Sequence, residues 1–444
     1  MTDTITQNIP PLSDENAFNA RHAVFGIQSE SLKARQTAAW NTFRELPYPT
    51  RTSETWRFAS IKAIKEIERF APSAFETVER PDLVERSKRI SSVSGRFIFA
   101  DENLIAAREI DPELEAKGVI FTTLIDALNN HQELVEKYLL QQSPELGSEK
   151  FESLHIAMLR TGVFLYVPKG VEIKAPFVVY NWAVQKDTAI FPHTLFVCDE
   201  NASAELVEFQ ECAQPETEHL VIANAHVYAE SGSRPCHTIL QNWNRKTLSF
   251  QLNTSNAQRD VNSRGVLINV GSAHTRQEIH GKIFGSRADV NIFSLNIARG
   301  DQEMDQRTLQ THIAPNSRSD LLFKNALLDQ SKTIFSGLII VEPDAQQTDA
   351  YQTNNNLMLS DQAEANSLPG LEIKANDVKC SHGATSGKID DSNIFYFLSR
   401  GIPRKKAEEL MVFGFLEEII EKIENEELSD YVRSLVQQQL IDQL

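Results

Sequence analysis

The sequence predicts a mainly β protein, a β-solenoid core set between two helical regions. Two observations predict the core. From about residue 155, runs rich in Val, Ile, Phe and Thr, such as Gly162-Val163-Phe164-Leu165-Tyr166-Val167 and Ala175-Pro176-Phe177-Val178-Val179-Tyr180, continue for about 190 residues without an amphipathic helix. Polar turn clusters at Gly271-Ser272, Ser286-Arg287, Gly300-Asp301, Ser317-Arg318, Ser331-Lys332 and Ala345-Gln346 recur every 14 to 16 residues. That interval exceeds the roughly 8 to 12 residues between the turns of a sandwich and suits stacked coils, with an irregular β-sandwich as the alternative. The third observation is helical spacing at both ends of the chain.

At the N-terminal end, Leu32, Arg35, Ala39, Phe43 and Leu46 trace one side of a helical stretch running from about Ser13 until Pro47 and Pro49 stop it. A second helical stretch starts near Thr122-Thr123 and carries Leu124, Leu128, Leu134, Val135, Tyr138 and Leu139. Between them Phe97-Ile98-Phe99-Ala100 reads as a short strand. After Gly401-Ile402, Pro403 suits the first position of a helix, and Met411, Val412, Phe415, Leu416, Ile419, Ile420 and Ile423 form a wide apolar stripe. Leu428, Tyr431, Val432, Leu435, Val436 and Leu440 continue at the same period. Two such helices either cap the solenoid or present a docking surface. The division expected is 1–150 mainly helical, 151–395 β core and 396–444 helical, in keeping with the two or three units that 444 residues suggest.

A formal net charge of -17 opposes nonspecific nucleic-acid binding, which needs a basic surface to displace counterions. Cys198, Cys212, Cys236 and Cys380 include no CxxC pair, so reduced thiols are expected rather than a disulfide framework or zinc ribbon. No apolar run approaches the roughly 18 residues of a membrane span. Met1-Thr2-Asp3-Thr4 lacks the features of a secretory signal, and the expected location is the cytoplasm.

The chemistry concentrates in Lys379-Cys380-Ser381-His382-Gly383-Ala384-Thr385. On a strand Cys380 and His382 share a face, and a thiolate with a neutral imidazole suits iron or zinc. The bland alternative is a buried cysteine beside a hydrogen-bonded histidine. Gly383-Ala384-Thr385-Ser386-Gly387-Lys388-Ile389 falls one residue short of a phosphate loop and lacks the Ser or Thr after its lysine, so the chain is not expected to hydrolyse nucleotide by itself. A carbohydrate site drawn from Asp289, Arg299, Asp301, Glu303 and Asp305 competes with a plain solvated face. His226, His237, His274, His280 and His312 read as structural histidines. Adjacent Cys236 and His237 would face opposite sides of a strand.

Leu368-Pro369-Gly370-Leu371-Glu372-Ile373 through Asp377-Val378-Lys379-Cys380-Ser381-His382-Gly383-Ala384-Thr385 strongly resembles the signature of the SufB/SufD family of the SUF iron-sulfur cluster assembly system. Ser399-Arg400-Gly401-Ile402-Pro403 and Ala345-Gln346-Gln347-Thr348-Asp349-Ala350-Tyr351-Gln352 are similar to further parts of it, and Glu54-Thr55-Trp56-Arg57-Phe58 resembles a motif of D-type subunits. B-type subunits typically carry a cysteine near the position of Asn354 to Asn356 and a Glu after the motif histidine; asparagines and Gly383 stand there, so the resemblance is to the D-type subunits. The resemblance implies a right-handed parallel β-helix, pairing with a SufB-like subunit through the core, and a SufC-like ATPase on the C-terminal helices, with Pro403, Met411, Phe415 and Ile419 as docking residues. ATP would then act only through SufC, and the chain itself is expected not to be an enzyme. It also implies a transient iron-sulfur cluster or iron at the SufB interface, held by His382 with Cys380 as a less weighted ligand. A homodimer of the isolated chain and, in a plant-type organism, a plastid location are further expectations.

Overall fold

The structure is a computed structural model that describes residues 9–23, 29–75, 79–108 and 110–441. Residues 1–8, on which the reading of no secretory signal rests, lie outside the described residues. Among those described, two sheets of eleven and ten strands face each other, and strands next to one another in a sheet are not next to one another in the chain. The chain alternates between the sheets, which makes a parallel β-helix. His274 lies beside Glu303 and Glu303 beside Lys332 in one sheet, while Asp289 lies beside Arg318 and Arg318 beside Asp349 in the other. Each turn-to-turn interval in the sequence is therefore half a coil, because one coil visits both sheets.

The lumen explains why the register holds. Asn181, Gln210, Gln241, Asn269, Asn296, Asn325 and Asn356 occupy equivalent positions on successive strands of the second sheet, and Ser386 follows them. Most are buried, and two steps of the stack are bonded directly, Asn269 donating to Asn296 Oδ1 at 2.7 Å and Asn325 to Asn356 Oδ1 at 2.7 Å, while Gln210 reaches across to Gln251 at 2.9 Å. A register slip would leave several buried amides without partners, at about 1–3 kcal/mol each.

The two ends of the solenoid differ. At the N-terminal end, Asn103–Arg108 pairs antiparallel with Gly95–Ala100 and Ile120–Thr123 pairs antiparallel with Val163–Val167, each closing one sheet. The N-terminal region thus supplies strands as well as helices; Gly95–Ala100 pairs parallel with Phe177–Ala183. Its helices include Glu30–Glu45, Leu124–Asn130, Gln132–Tyr138 and Glu149–Met158. In the first of these the buried face is Leu32, Gln36, Ala39 and Phe43. Gln36 rather than Arg35 points inward, donating to the carbonyl of Leu159 at 2.6 Å. The helix Glu149–Met158, which the β-rich reading overlooked, runs across position 150.

The C-terminal helices do not cap the other end. Arg404–Ile420 lays Val412, Leu416, Ile419 and Ile420 on the outer face of the second sheet, against Val266, Ile268, Phe293, Leu295 and Ala326. Glu426–Ile441 packs beside it through Leu428, Val432, Leu435 and Val436. The apolar outer face of the second sheet decides this, since each buried aliphatic side chain gains about 1.5–3 kcal/mol there. The helix begins at Arg404, so Pro403 is the residue before its first turn rather than within it. A short helix, Asp391–Leu398, precedes it and spans position 395.

Candidate functional site

The C-terminal end of the solenoid finishes on two edge strands, Glu364–Ile373 in the first sheet and Lys379–Lys388 in the second. Each is paired on one side only, so its other row of backbone donors and acceptors is free to pair with another chain. The motif lies on the second of these. Cys380 stands beside Ala350, His382 beside Gln352, Ala384 beside Asn354 and Ser386 beside Asn356.

Those four partners are buried, so Cys380 and His382 share the lumen-facing side of the last strand, as their spacing predicts. Their surroundings differ. Cys380 is half-buried and packs on a cluster that includes Ile339, Val341 and Ala350. Burial pushes its thiol up, the nearby Asp349 charge adds to the rise, and a backbone hydrogen bond with Ala350 opposes it. The thiol is therefore protonated near neutral pH, a poor ligand until its environment changes. His382 is exposed. Among the described residues no group of three or more His, Cys, Asp or Glu is arranged to hold a metal ion.

Behind the motif, Asn354 and Asn356 point inward and donate to Ser367 Oγ at 2.7 and 3.4 Å. Asn356 also reaches the carbonyl of Thr385 at 3.1 Å. The lumen amides thus brace the motif strand, a role their scattered positions in the sequence did not reveal. Exposed Tyr351 and Ile373, at 42% and 41%, add apolar surface at this end.

The other candidates fall elsewhere. Gly383 to Lys388 is extended strand, not a loop opening a helix, which removes any phosphate-loop reading. Asp289 lies on the second sheet, whereas Glu303 and Asp305 lie on the first, with Asp305 paired to Arg276 and Arg307. They form no common face. His312 is bonded at both ring nitrogens, to Ser317 and Ser319, whereas His226 and His280 are each bonded at one nitrogen, to Thr254 and Thr311. His237 faces Glu208 at 2.7 Å, and Cys236 lies on the opposite side of the strand, near Glu205.

Of the docking residues, Pro403 is exposed, Met411 and Phe415 are half-buried, and Ile419 is fully buried against the sheet. Ile419 is thus a core residue. The exposed apolar groups nearby are Phe395, Tyr396, Leu398 and Leu410, at 70%, 54%, 42% and 41%. The signal for the first three was the run Ile394-Phe395-Tyr396-Phe397-Leu398 after Asp390, whose carboxylate caps Ser392 N at 2.8 Å. The Trp56 motif is structural: buried Trp56 donates to the carbonyl of Gly147 at 2.7 Å and stacks 4.2 Å from the Arg276 guanidinium carbon. Arg307 and Lys332 hold the carbonyls of Arg57 and Phe58 at 3.0 and 2.7 Å.

Residues 181–415 match the family model described as SUF system FeS cluster assembly, SufBD core domain, and residues 16–179 match the SufBD protein N-terminal region. The iron-sulfur cluster assembly protein SufD of Bacillus subtilis is 27% identical over 405 residues, covering 89% of this chain and 90% of the relative. A SufBD family protein of Synechocystis sp. is 27% identical over 82% of this chain and 77% of its own length. One from Staphylococcus aureus is 26% identical over 84% of this chain and 78% of its own. With both family models matched along this β-helix and the region before it, the chain belongs to the SufBD family of the SUF iron-sulfur cluster assembly system.

Proposed function

We propose that the protein is the D-type, non-ATPase subunit of a SufBCD-type scaffold, pairing with a SufB-like subunit and contributing to iron entry and nascent cluster assembly at their interface. The observation that carries this is the unpaired edge of Lys379–Lys388 with exposed His382 on it. An edge strand recruits a partner strand through main-chain hydrogen bonds, which would bring His382 up to the partner's own donors. An imidazole with partner thiolates would hold a nascent cluster more loosely than four thiolates, as a cargo to be passed on requires. Cys380 joins this set only if pairing or strain frees its thiol from the aliphatic cluster beneath it.

The SufC-like ATPase would dock on the C-terminal helices through Phe395, Tyr396, Leu398, Leu410 and Met411, beside a groove of about 220 Å³ lined by Leu410, Phe413 and Leu440. ATP enters the cycle only through that subunit. Without a SufB-like partner, the same strand edge supports pairing of two copies of this chain. The site of action is the cytoplasm, or a plastid stroma in a plant-type organism; among the described residues no helix is long and apolar enough to cross a membrane.

The second reading is a purely architectural subunit, with all cluster chemistry on the partner. The raised, half-buried thiol of Cys380 favours it. Co-expression of the three-subunit complex with His382→Ala separates the two. The proposal expects an intact complex with less bound iron and sulfide and impaired maturation of target proteins, whereas normal loading would leave only the architectural role.

A further inference from the structure

Between the two sheets of the solenoid, far from the motif strand in the chain, three coils line a partly open cavity of about 60 Å³. Its walls are mostly aliphatic, with Val227, Ile239, Leu267, Ile279 and Ile292 contributed by both sheets. One wall is polar. His237 lines it with 9% exposure, and its Nε2 donates to the carboxylate of Glu208, itself 3% exposed, at 2.7 Å. In the neutral imidazole this bond fixes the tautomer, so Nδ1 carries the lone pair and accepts a hydrogen bond. Ser255 and Ser263 supply hydroxyls in the same lining.

Gly265 leaves room here. A Cβ built on it would meet only the Asn291 carbonyl oxygen, at 4.0 Å. The volume exceeds the roughly 10–15 Å³ that one water needs and falls below the roughly 150 Å³ of a cavity that accepts benzene. The aliphatic part of the lining offers nothing to offset the desolvation of a charge, and the Glu208 carboxylate is already paired with His237.

We propose that this cavity is a binding site for a small neutral molecule of about four heavy atoms, an aliphatic body with one hydrogen-bond donor such as a hydroxyl, which donates to His237 Nδ1. The inference is independent of the scaffold reading, since it uses no residue of the open end or of the C-terminal helices.

The test uses crystals of the full-length protein, pressurised with xenon and, separately, soaked in n-propanol. Expected are one xenon peak between Leu267 and Ile279, and propanol with its hydroxyl in hydrogen-bond range of His237 Nδ1. Gly265→Val should abolish both, with an unchanged or raised melting temperature showing that it folds. His237→Phe should keep the xenon and weaken propanol, followed by its thermal-shift titration, about tenfold, as the loss of one hydrogen bond predicts. No xenon in the wild type, or xenon retained in a folded Gly265→Val, would overturn the site. Equal propanol affinity in wild type and His237→Phe would overturn the polar contact.

Discussion

The ammonium of Lys324 donates to the carbonyl oxygen of Phe415 at 2.7 Å, tying the middle of a C-terminal helix to a strand that lies two places from the motif strand. Lys324 is 6% exposed and also pairs with Glu418. Its register partner is Asn355, which in turn lies beside Thr385. Removing the ammonium as Lys324→Met should destabilise the fold by about 1.5–3 kcal/mol, since a hydrogen bond from a charged group is lost, while the Phe415 carbonyl keeps its intrahelical amide donor. Urea unfolding gives the magnitude. Hydrogen exchange should show the loss in Arg404–Ile420 before the sheets; uniform loss would mean that the lysine does not hold this helix in particular.

The lumen ladder makes a second prediction. Asn296 is fully buried and accepts from Asn269 at 2.7 Å and from Ser294 at 3.2 Å. Asn296→Ala strands both donors and should cost about 2–4 kcal/mol, read from the chemical denaturation midpoint at unchanged slope. A cost below about 0.5 kcal/mol, the level of an ordinary surface change, would deny the ladder its role.

Trp56 should anchor the N-terminal region. Trp56→Ala removes a buried ring, its bond to Gly147 and its stacking on Arg276, at an expected cost of about 3–5 kcal/mol. Limited proteolysis should then cut first in the segment around residues 50–60. Wild-type resistance there would show that the anchor lies elsewhere.

Acid should weaken the fold through its buried histidines. His155 donates through Nδ1 to the carbonyl of Ile222 at 2.6 Å, and the ring of His193 lies between those of His155 and His226, with centroids 5.3 and 5.4 Å away. Burial lowers His155 to about 4 and His226 to about 3. The unfolded chain takes up protons near pH 6.5 and the folded one only near 3 to 4. Stability from these groups is therefore whole above about pH 6.5 and falls as pH drops toward 4. Asp101, raised to about 7 mainly by burial, acts in the opposite sense between about pH 7 and 4. Single substitution isolates the histidine contribution: His226→Gln should flatten the slope of unfolding free energy against pH by up to one proton over that window.

Among the four thiols, Cys380 should alkylate first. Burial pushes Cys198, Cys212 and Cys236 up to about 12, 11 and 12, while Cys380, also raised by burial, sits on the edge strand between exposed Lys379 and Ser381. Mass spectrometry after brief iodoacetamide treatment should find Cys380 modified ahead of the others, yet more slowly than an unhindered thiol. Pairing with a SufB-like subunit should change that rate.

Much of this was legible along the chain. Cys380 and His382 two residues apart lie on one strand facing one way, as alternation requires, and the turn clusters mark true corners. The corner spacing misled in one respect, since a single interval cannot say whether one or two strands complete a coil. Ile419 shows a different failure. Its helical stripe is the same whether it meets a partner or the protein's own sheet, and only the apolar outer face of that sheet decides. The ladder from Asn181 to Asn356 stayed invisible because isolated amides resemble turn residues until stacking aligns them.

By itself, then, the order of residues determined a β-rich coil with helical flanks and a Cys-Ser-His strand, because both follow from local period and short spacing. Only the tertiary structure decided that the helices lie along the flank, that the motif strand is the last of its sheet with one edge open, and that Cys380 is largely covered while His382 is exposed. Those outcomes depend on which surfaces, remote in the sequence, exclude water together, and no local pattern encodes that competition.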